Sequence, residues 1–131
     1  NCPCGSGQTY KQCCRPFHNG KQPSHPEQLM RARYTAYAIG NVEFIMATTH
    51  PDSPHYEADK AIWRKSLHAF SETTQFIGLN VIESHLSDDQ NVGYVRFQAI
   101  LIQYGRDASF IEHSRFEKVK NRWLYVKGEL I

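Results

Sequence analysis

All four cysteines of this 131-residue chain, Cys2, Cys4, Cys13 and Cys14, fall within its first 14 residues. That clustering constrains the fold more than any other feature. A disulfide framework spreads its cysteines to staple distant loops. Four in one short run, two of them adjacent, make acceptable disulfide geometry hard to reach and point to a metal site in a reducing compartment. There, four thiolates converge on one tetrahedral ion at about 2.3 Å from each sulfur. In the run Cys2-Pro-Cys4-Gly-Ser-Gly-Gln-Thr-Tyr-Lys-Gln-Cys13-Cys14, Gly5 and Gly7 permit a tight turn after the first pair. Ser6 is placed to cap a short helix over residues 7–14 that carries Cys13 and Cys14 back toward Cys2 and Cys4. The expected ion is Zn2+, one per chain, in a closed structural site, because four protein ligands leave no position for a water; iron is the alternative. His18 is near enough to compete with Cys14 as fourth ligand.

With 40% hydrophobic and 21% charged residues, the chain suits one ordinary domain with a small appendage. No run approaches the roughly 20 apolar residues of a membrane-spanning helix, and the first residues lack both the basic and the apolar region of a signal peptide. The chain therefore reads as cytoplasmic, with no membrane partner. Fifteen lysines and arginines against 13 acids give a net charge of +2, spread along the sequence. Four thiolates and a divalent ion would bring it to about zero. A nucleic-acid partner is disfavoured on that balance, and Lys11, Arg15 and Lys21 read as charge balance for the cysteine cluster.

Residues 15–26 hold three prolines and a glycine without apolar periodicity and read as a linker or packed arm. Helical spacing then predicts a helix from Pro26 to Ile39, stopped by Gly40 and Asn41, a second over Val42–Thr49 and a third over Glu57–Phe70. The period changes to two beyond that point. Strands are expected near Phe76–Leu86, Val92–Tyr104, Ser109–Lys118 and Arg122–Lys127, joined by hairpin turns at 87–91, 105–107 and 120–121. Helices first and an antiparallel meander after make an α+β fold, with a helical layer on one face of a curved sheet.

The cysteine segment resembles the SEC-C motif, Cys-x-Cys-x8-Cys-(Cys or His), at all four ligand positions. In the SecA translocation ATPase, whose tail names the motif, this zinc knuckle docks the export chaperone SecB. The resemblance thus implies a small protein-docking surface; the alternative is that the metal merely folds a terminal arm. The stretches LMRARYTAYAIGN, TTHP, FIGLNVIE, IEHSRFEK and RWLYVKGE resemble the bacterial YchJ-like family, in which a SEC-C knuckle precedes an NTF2-like domain. That resemblance implies a knuckle and linker over residues 1–22, and over 23–131 an NTF2-like (cystatin-like) cone of helices on a strongly bent sheet, enclosing a pocket and open to homodimerisation. Family members often carry a second, C-terminal knuckle. Here no cysteine follows Cys14 up to Ile131, which leaves a truncated chain and a one-knuckle member both open.

On a helical wheel Arg33 falls in the apolar arc between Leu29 and Tyr37 and should point inward. A buried guanidinium requires a partner, and Glu112 is the best in the sequence. Phe110, Glu112, Ser114 and Phe116 share the apolar face of their strand, so an Arg33–Glu112 pair is expected at the cavity. The pocket would comprise Arg33, Tyr34, Tyr37, His50, Glu112 and Ser114, with Arg33 clasping a small anionic ligand if Glu112 is otherwise neutralised. His50, at the end of the second helix, is a candidate general base. The leading functional reading is a zinc-binding interaction or adaptor protein with a ligand-binding or dimerising NTF2-like domain. The alternative is a small-molecule isomerase, dehydratase or hydrolase using His50 and Glu112.

Overall fold

A computed structural model describes residues 1–131. Helices α1 (Arg15–His18), α2 (Pro26–Ile39), α3 (Val42–Ala47) and α4 (Lys60–Glu72) precede strands β1 (Thr74–Leu86), β2 (Val92–Gln103), β3 (Arg106–Asp107), β4 (Phe110–Val119) and β5 (Arg122–Leu130). The strands form one antiparallel sheet in the order β1-β2-β4-β5, with the short β3 paired to β2. No helix is long and apolar enough to cross a membrane.

Each long element starts and stops for a local reason. Pro26 supplies the first turn of α2, and the His25 ring accepts from the Glu27 amide at 3.3 Å. Gly40 ends the helix with φ +81°, a left-handed conformation that costs glycine little. Asn41 caps α3 through the Phe44 amide, 3.2 Å away. The third long helix starts at Lys60 rather than Glu57, because Asp59 accepts from the amides of Ala61 and Ile62 at 3.1 and 3.2 Å.

The N-terminal segment departs further from expectation. Residues 7–14 form successive turns, and the helical turn comes later, at Arg15–His18, inside the stretch read as linker. Gly7 has φ +86°, which a right-handed helix excludes. Ser6 Oγ accepts from the Gln8 amide at 3.2 Å and also lies 3.1 Å from Cys13 Sγ, but Thr9 heads the turn that follows, its carbonyl accepting from the Cys13 amide at 2.9 Å.

The sheet bends where its register slips. Bulges on β1 at Ile77 and Ile82, and on β5 at Val126, each insert a residue with no partner opposite. Along β2, buried Val95, Phe97, Ala99 and Leu101 alternate with more accessible residues, so one face carries the core. Cys2, Cys4 and Cys14 belong to that same core, packed with Leu29, Ala32 and Leu79.

Candidate functional site

Two sites flank helix α2. On one side lie the cysteines. The four Sγ atoms all fall within 4.8 Å of one another, with Cys4–Cys13 at 3.5 Å and Cys13–Cys14 at 3.9 Å. Around a tetrahedral thiolate ion the sulfurs stand about 3.8 Å apart, from bonds of about 2.3 Å, so the cluster fits one ion. Electrostatics lead to the same conclusion. Hydrogen bonds from Cys14, Ser6 and Cys13 pull the Cys4 thiol down to about 4 against its burial. Cys14 is pushed far up, first by donating to Cys4 and then by burial. So many crowded sulfurs ionise together only when a cation neutralises them.

The arm is tied to α2 at several points. Arg31 Nη1 donates to the Cys4 carbonyl at 2.7 Å, and Cys2 Sγ lies 3.5 Å from Thr35 Oγ1. His18 is occupied at both ring nitrogens: Nε2 lies 2.8 Å from the Ala32 carbonyl and Nδ1 2.9 Å from the Tyr10 hydroxyl. Burial lowers its pKa, which favours a neutral ring donating from Nε2. With both nitrogens engaged and four sulfurs already assembled, His18 is a strut between arm and helix.

On the other side, α2, α4 and the inner sheet face enclose a cavity of about 630 Å³. Arg33, Tyr34, Tyr37, Glu112 and Ser114 border it. Tyr34 donates to the Gly78 carbonyl at 2.9 Å, and burial raises its phenol to about 12. Arg33 is only 6% exposed. Its Nη1 donates to the Ile45 carbonyl (3.2 Å), Thr48 Oγ1 (2.8 Å) and Thr49 Oγ1 (3.1 Å). The guanidinium also lies over the Tyr125 ring, 4.6 Å from its centroid. Burial lowers its pKa, while Tyr37, Tyr125 and Glu112 act in the opposite sense.

The expected Arg33–Glu112 ion pair is not formed. Glu112 Oε2 instead accepts from Ser114 Oγ and, at 3.3 Å, from the Tyr125 hydroxyl. Tyr125 thus stands between the two charges. Burial and the Glu112 charge push its phenol well above the ordinary range, so it remains a donor. A close approach fixes the carboxylate: Glu112 lies across β5 where Gly128 has no side chain, and a methyl group there would overlap it.

His50 does not border the cavity. Thr48–His50 pairs with β5 as an extended bridge: the Tyr125 amide donates to the Thr48 carbonyl and the His50 amide to the Tyr125 carbonyl, both at 2.8 Å. Successive side chains in extended backbone point to opposite sides, so Thr49 reaches the cavity and His50 does not. The His50 Nδ1 accepts from the Asp52 amide at 2.9 Å, and its Nε2 lies 3.9 Å from Glu117. The expected His50–Glu112 acid–base pair is therefore not assembled. The loop beyond it places His55 and Glu57 on the cavity instead, His55 tilted against Tyr125 at 6.0 Å between centroids. No periodic signal in residues 51–59 marks either residue. Tyr125 takes its bridging role from contacts with α2 and β4, which its own strand does not mark.

The family model for the middle NTF2-like domain of YchJ matches residues 25–128, and the SEC-C motif matches residues 1–16. The chain belongs to the YchJ family. A YchJ-family relative from Serratia proteamaculans, a UPF0225 protein, is 38% identical over 97% of this chain and 81% of its own length. The solution structure of a SEC-C motif containing protein from Rhodopseudomonas palustris is similar at TM-score 0.84 and 34% identity, covering 100% of this chain and 98% of that one. A crystal structure of a SEC-C motif containing protein from Psychrobacter arcticus aligns at TM-score 0.79 and 25% identity, over 96% of this chain and 80% of its own. Membership in the YchJ family accords with the α+β, NTF2-like architecture and with cysteines arranged for metal binding.

Proposed function

We propose that this protein is a small-molecule-binding protein whose cavity takes an organic ligand with an anionic group, and whose cysteine cluster holds one zinc ion as a staple. The single observation that carries this reading is the cavity itself. It is of ligand size and largely hydrophobic, yet it contains a buried guanidinium with no carboxylate pair. Cys2, Cys4, Cys13 and Cys14 would hold the zinc, which as a closed four-thiolate centre supplies folding energy and no open position for chemistry.

Trp63 borders the cavity and Trp123 does not, so tryptophan emission provides the test. Titration of the full chain with 1-anilinonaphthalene-8-sulfonate should give saturable one-to-one binding with quenching, and the Trp63→Phe variant should lose the quench. Absence of saturable binding contradicts the reading. Metal analysis of the same preparation should find one zinc per chain.

Protein docking through the knuckle is a second reading, supported by the SEC-C match and by the exposed polar rim at Gly5–Thr9, Lys11 and Arg15. Cys2, Cys4 and Cys14 are buried and Cys13 half-buried, so this rim is the surface a partner would meet. Co-purification with the wild-type chain but not with a Lys11→Glu/Arg15→Glu variant supports docking; identical partners from both oppose it.

A further inference from the structure

Helix α2, the Thr48–His50 bridge and strands β4 and β5 converge on Tyr125. Two ionic side chains of the cavity wall, Arg33 and Glu112, meet its phenol in different ways. Arg33 lies over the ring face, and Glu112 receives the hydroxyl hydrogen bond at the ring edge. A cation and a carboxylate are thereby kept apart by one aromatic ring.

Neither uses its full hydrogen-bonding capacity within the protein. Within 3.5 Å Arg33 donates only through Nη1, with the Tyr37 hydroxyl near enough to favour its charge, and Glu112 accepts only through Oε2. Arg33 Nε and Nη2 and Glu112 Oε1 are not sealed off either. The one enclosed side-chain polar atom without a partner is Trp123 Nε1, elsewhere in the molecule. Both residues border the cavity, so these unused atoms are the ones it offers a ligand. An arginine buried this deeply without an ion pair is costly unless an anion meets it. Its Nε and Nη2 form the fork that matches a carboxylate.

Taking the cavity as a binding site, we infer that its ligand is a flat, mostly apolar monocarboxylic acid with a hydroxyl group at its far end. The carboxylate sits bidentate on Arg33 Nε and Nη2. The body lies among Trp63, Phe70, Phe97 and Phe110, and the hydroxyl donates to Glu112 Oε1. Charge selects a monoanion over a phosphate dianion. Glu57 also borders the cavity, so a dianion would face two carboxylates with one fixed cation, and His55 is the only other titratable base on the wall.

Calorimetric titration of the zinc-replete full chain with 4-hydroxybenzoate, benzoate, phenol and phenyl phosphate tests the inference. The expected order places 4-hydroxybenzoate at least tenfold tighter than phenol and phenyl phosphate, and severalfold tighter than benzoate. Arg33→Met should abolish the preference for the carboxylate, and Glu112→Gln should narrow the gap between 4-hydroxybenzoate and benzoate. The ligand series on the wild-type protein decides the matter even where a variant fails to fold. Equal binding of phenol and 4-hydroxybenzoate, or tighter binding of phenyl phosphate, overturns the ligand class but leaves a binding cavity. Failure of every aromatic probe, the anilinonaphthalene sulfonate included, overturns both.

Discussion

The cysteine cluster and the cavity share helix α2 as a wall, yet they are built by opposite routes. All four sulfurs come from 13 consecutive positions, 2 to 14, so ligand spacing alone brings them together. The cavity draws Arg33 from a helix, Thr49 from a bridge, Trp63 from another helix, and Glu112 and Tyr125 from two strands. Its geometry exists only once the sheet has bent. A local site of this kind depends on its ion, whereas a site assembled over long range depends on packing around it.

That difference sets the order of expected effects. The largest concerns the metal. Cys13→Ser, or chelation, should release the ion and lower stability by about 3 kcal/mol or more, seen as a fall in Tm of roughly 10 °C or more. Arg31, Thr35 and Ala32 of α2 all contact the arm, so the loss should reach the main domain. An unchanged Tm for the domain would reduce the cluster to an independent appendage.

Gly128→Ala should cost about 1–3 kcal/mol, because the new methyl overlaps the Glu112 carboxyl group. Urea titration checks this, and the same variant should lose discrimination between 4-hydroxybenzoate and benzoate.

Arg33→Met sharpens the comparison further. The Ile45 carbonyl also accepts from Thr49 Oγ1 at 2.7 Å, and Thr48 Oγ1 donates to the Phe44 carbonyl at 2.7 Å. Removing the guanidinium therefore leaves no buried carbonyl without a donor. Stability should stay within about 1.5 kcal/mol of wild type while carboxylate binding is lost. A loss of several kcal/mol with binding retained would make Arg33 a structural pin.

The smallest effect falls on Tyr34→Phe, which removes the hydrogen bond to Gly78 and should cost about 1 kcal/mol in a denaturant titration at neutral pH. The Tyr34 phenol is raised from 10.0 to about 12 in the folded state. The protonated form is therefore the one that folding favours. Its contribution is complete below pH 10 and is lost as pH rises through about 12, so the gap between wild type and variant should close over that interval.

Much of the fold could be read from the sequence because its signals are local. Pro26 and Gly40 bracket α2, and the change from helical to alternating periodicity marks the start of the meander. The helix expected over residues 7–14 does not form although Ser6 Oγ accepts from the Gln8 amide at 3.2 Å, because Gly7 is left-handed and the turns that follow serve the sulfurs. Arg33 turned inward from its position in the apolar arc, but its partners did not follow from parity. Threonine hydroxyls and a carbonyl from α3 and its C-terminal turn reach it before Glu112 does. His50 was misplaced for a related reason: the bridge to Tyr125 is a tertiary pairing with no mark in residues 48–50. Tyr125 itself becomes important only through contacts from several elements, which a single-strand pattern cannot show.

The most direct test of a staple beside a binding cavity is hydrogen exchange of the full chain, read by mass spectrometry with zinc bound and after chelation. Zinc removal should increase exchange along α2, residues 26–39, and at the β1 segment around Leu79, as well as in residues 1–20. Faster exchange confined to residues 1–20, with α2 protected as before, would contradict the staple and leave the cluster as a separate docking element.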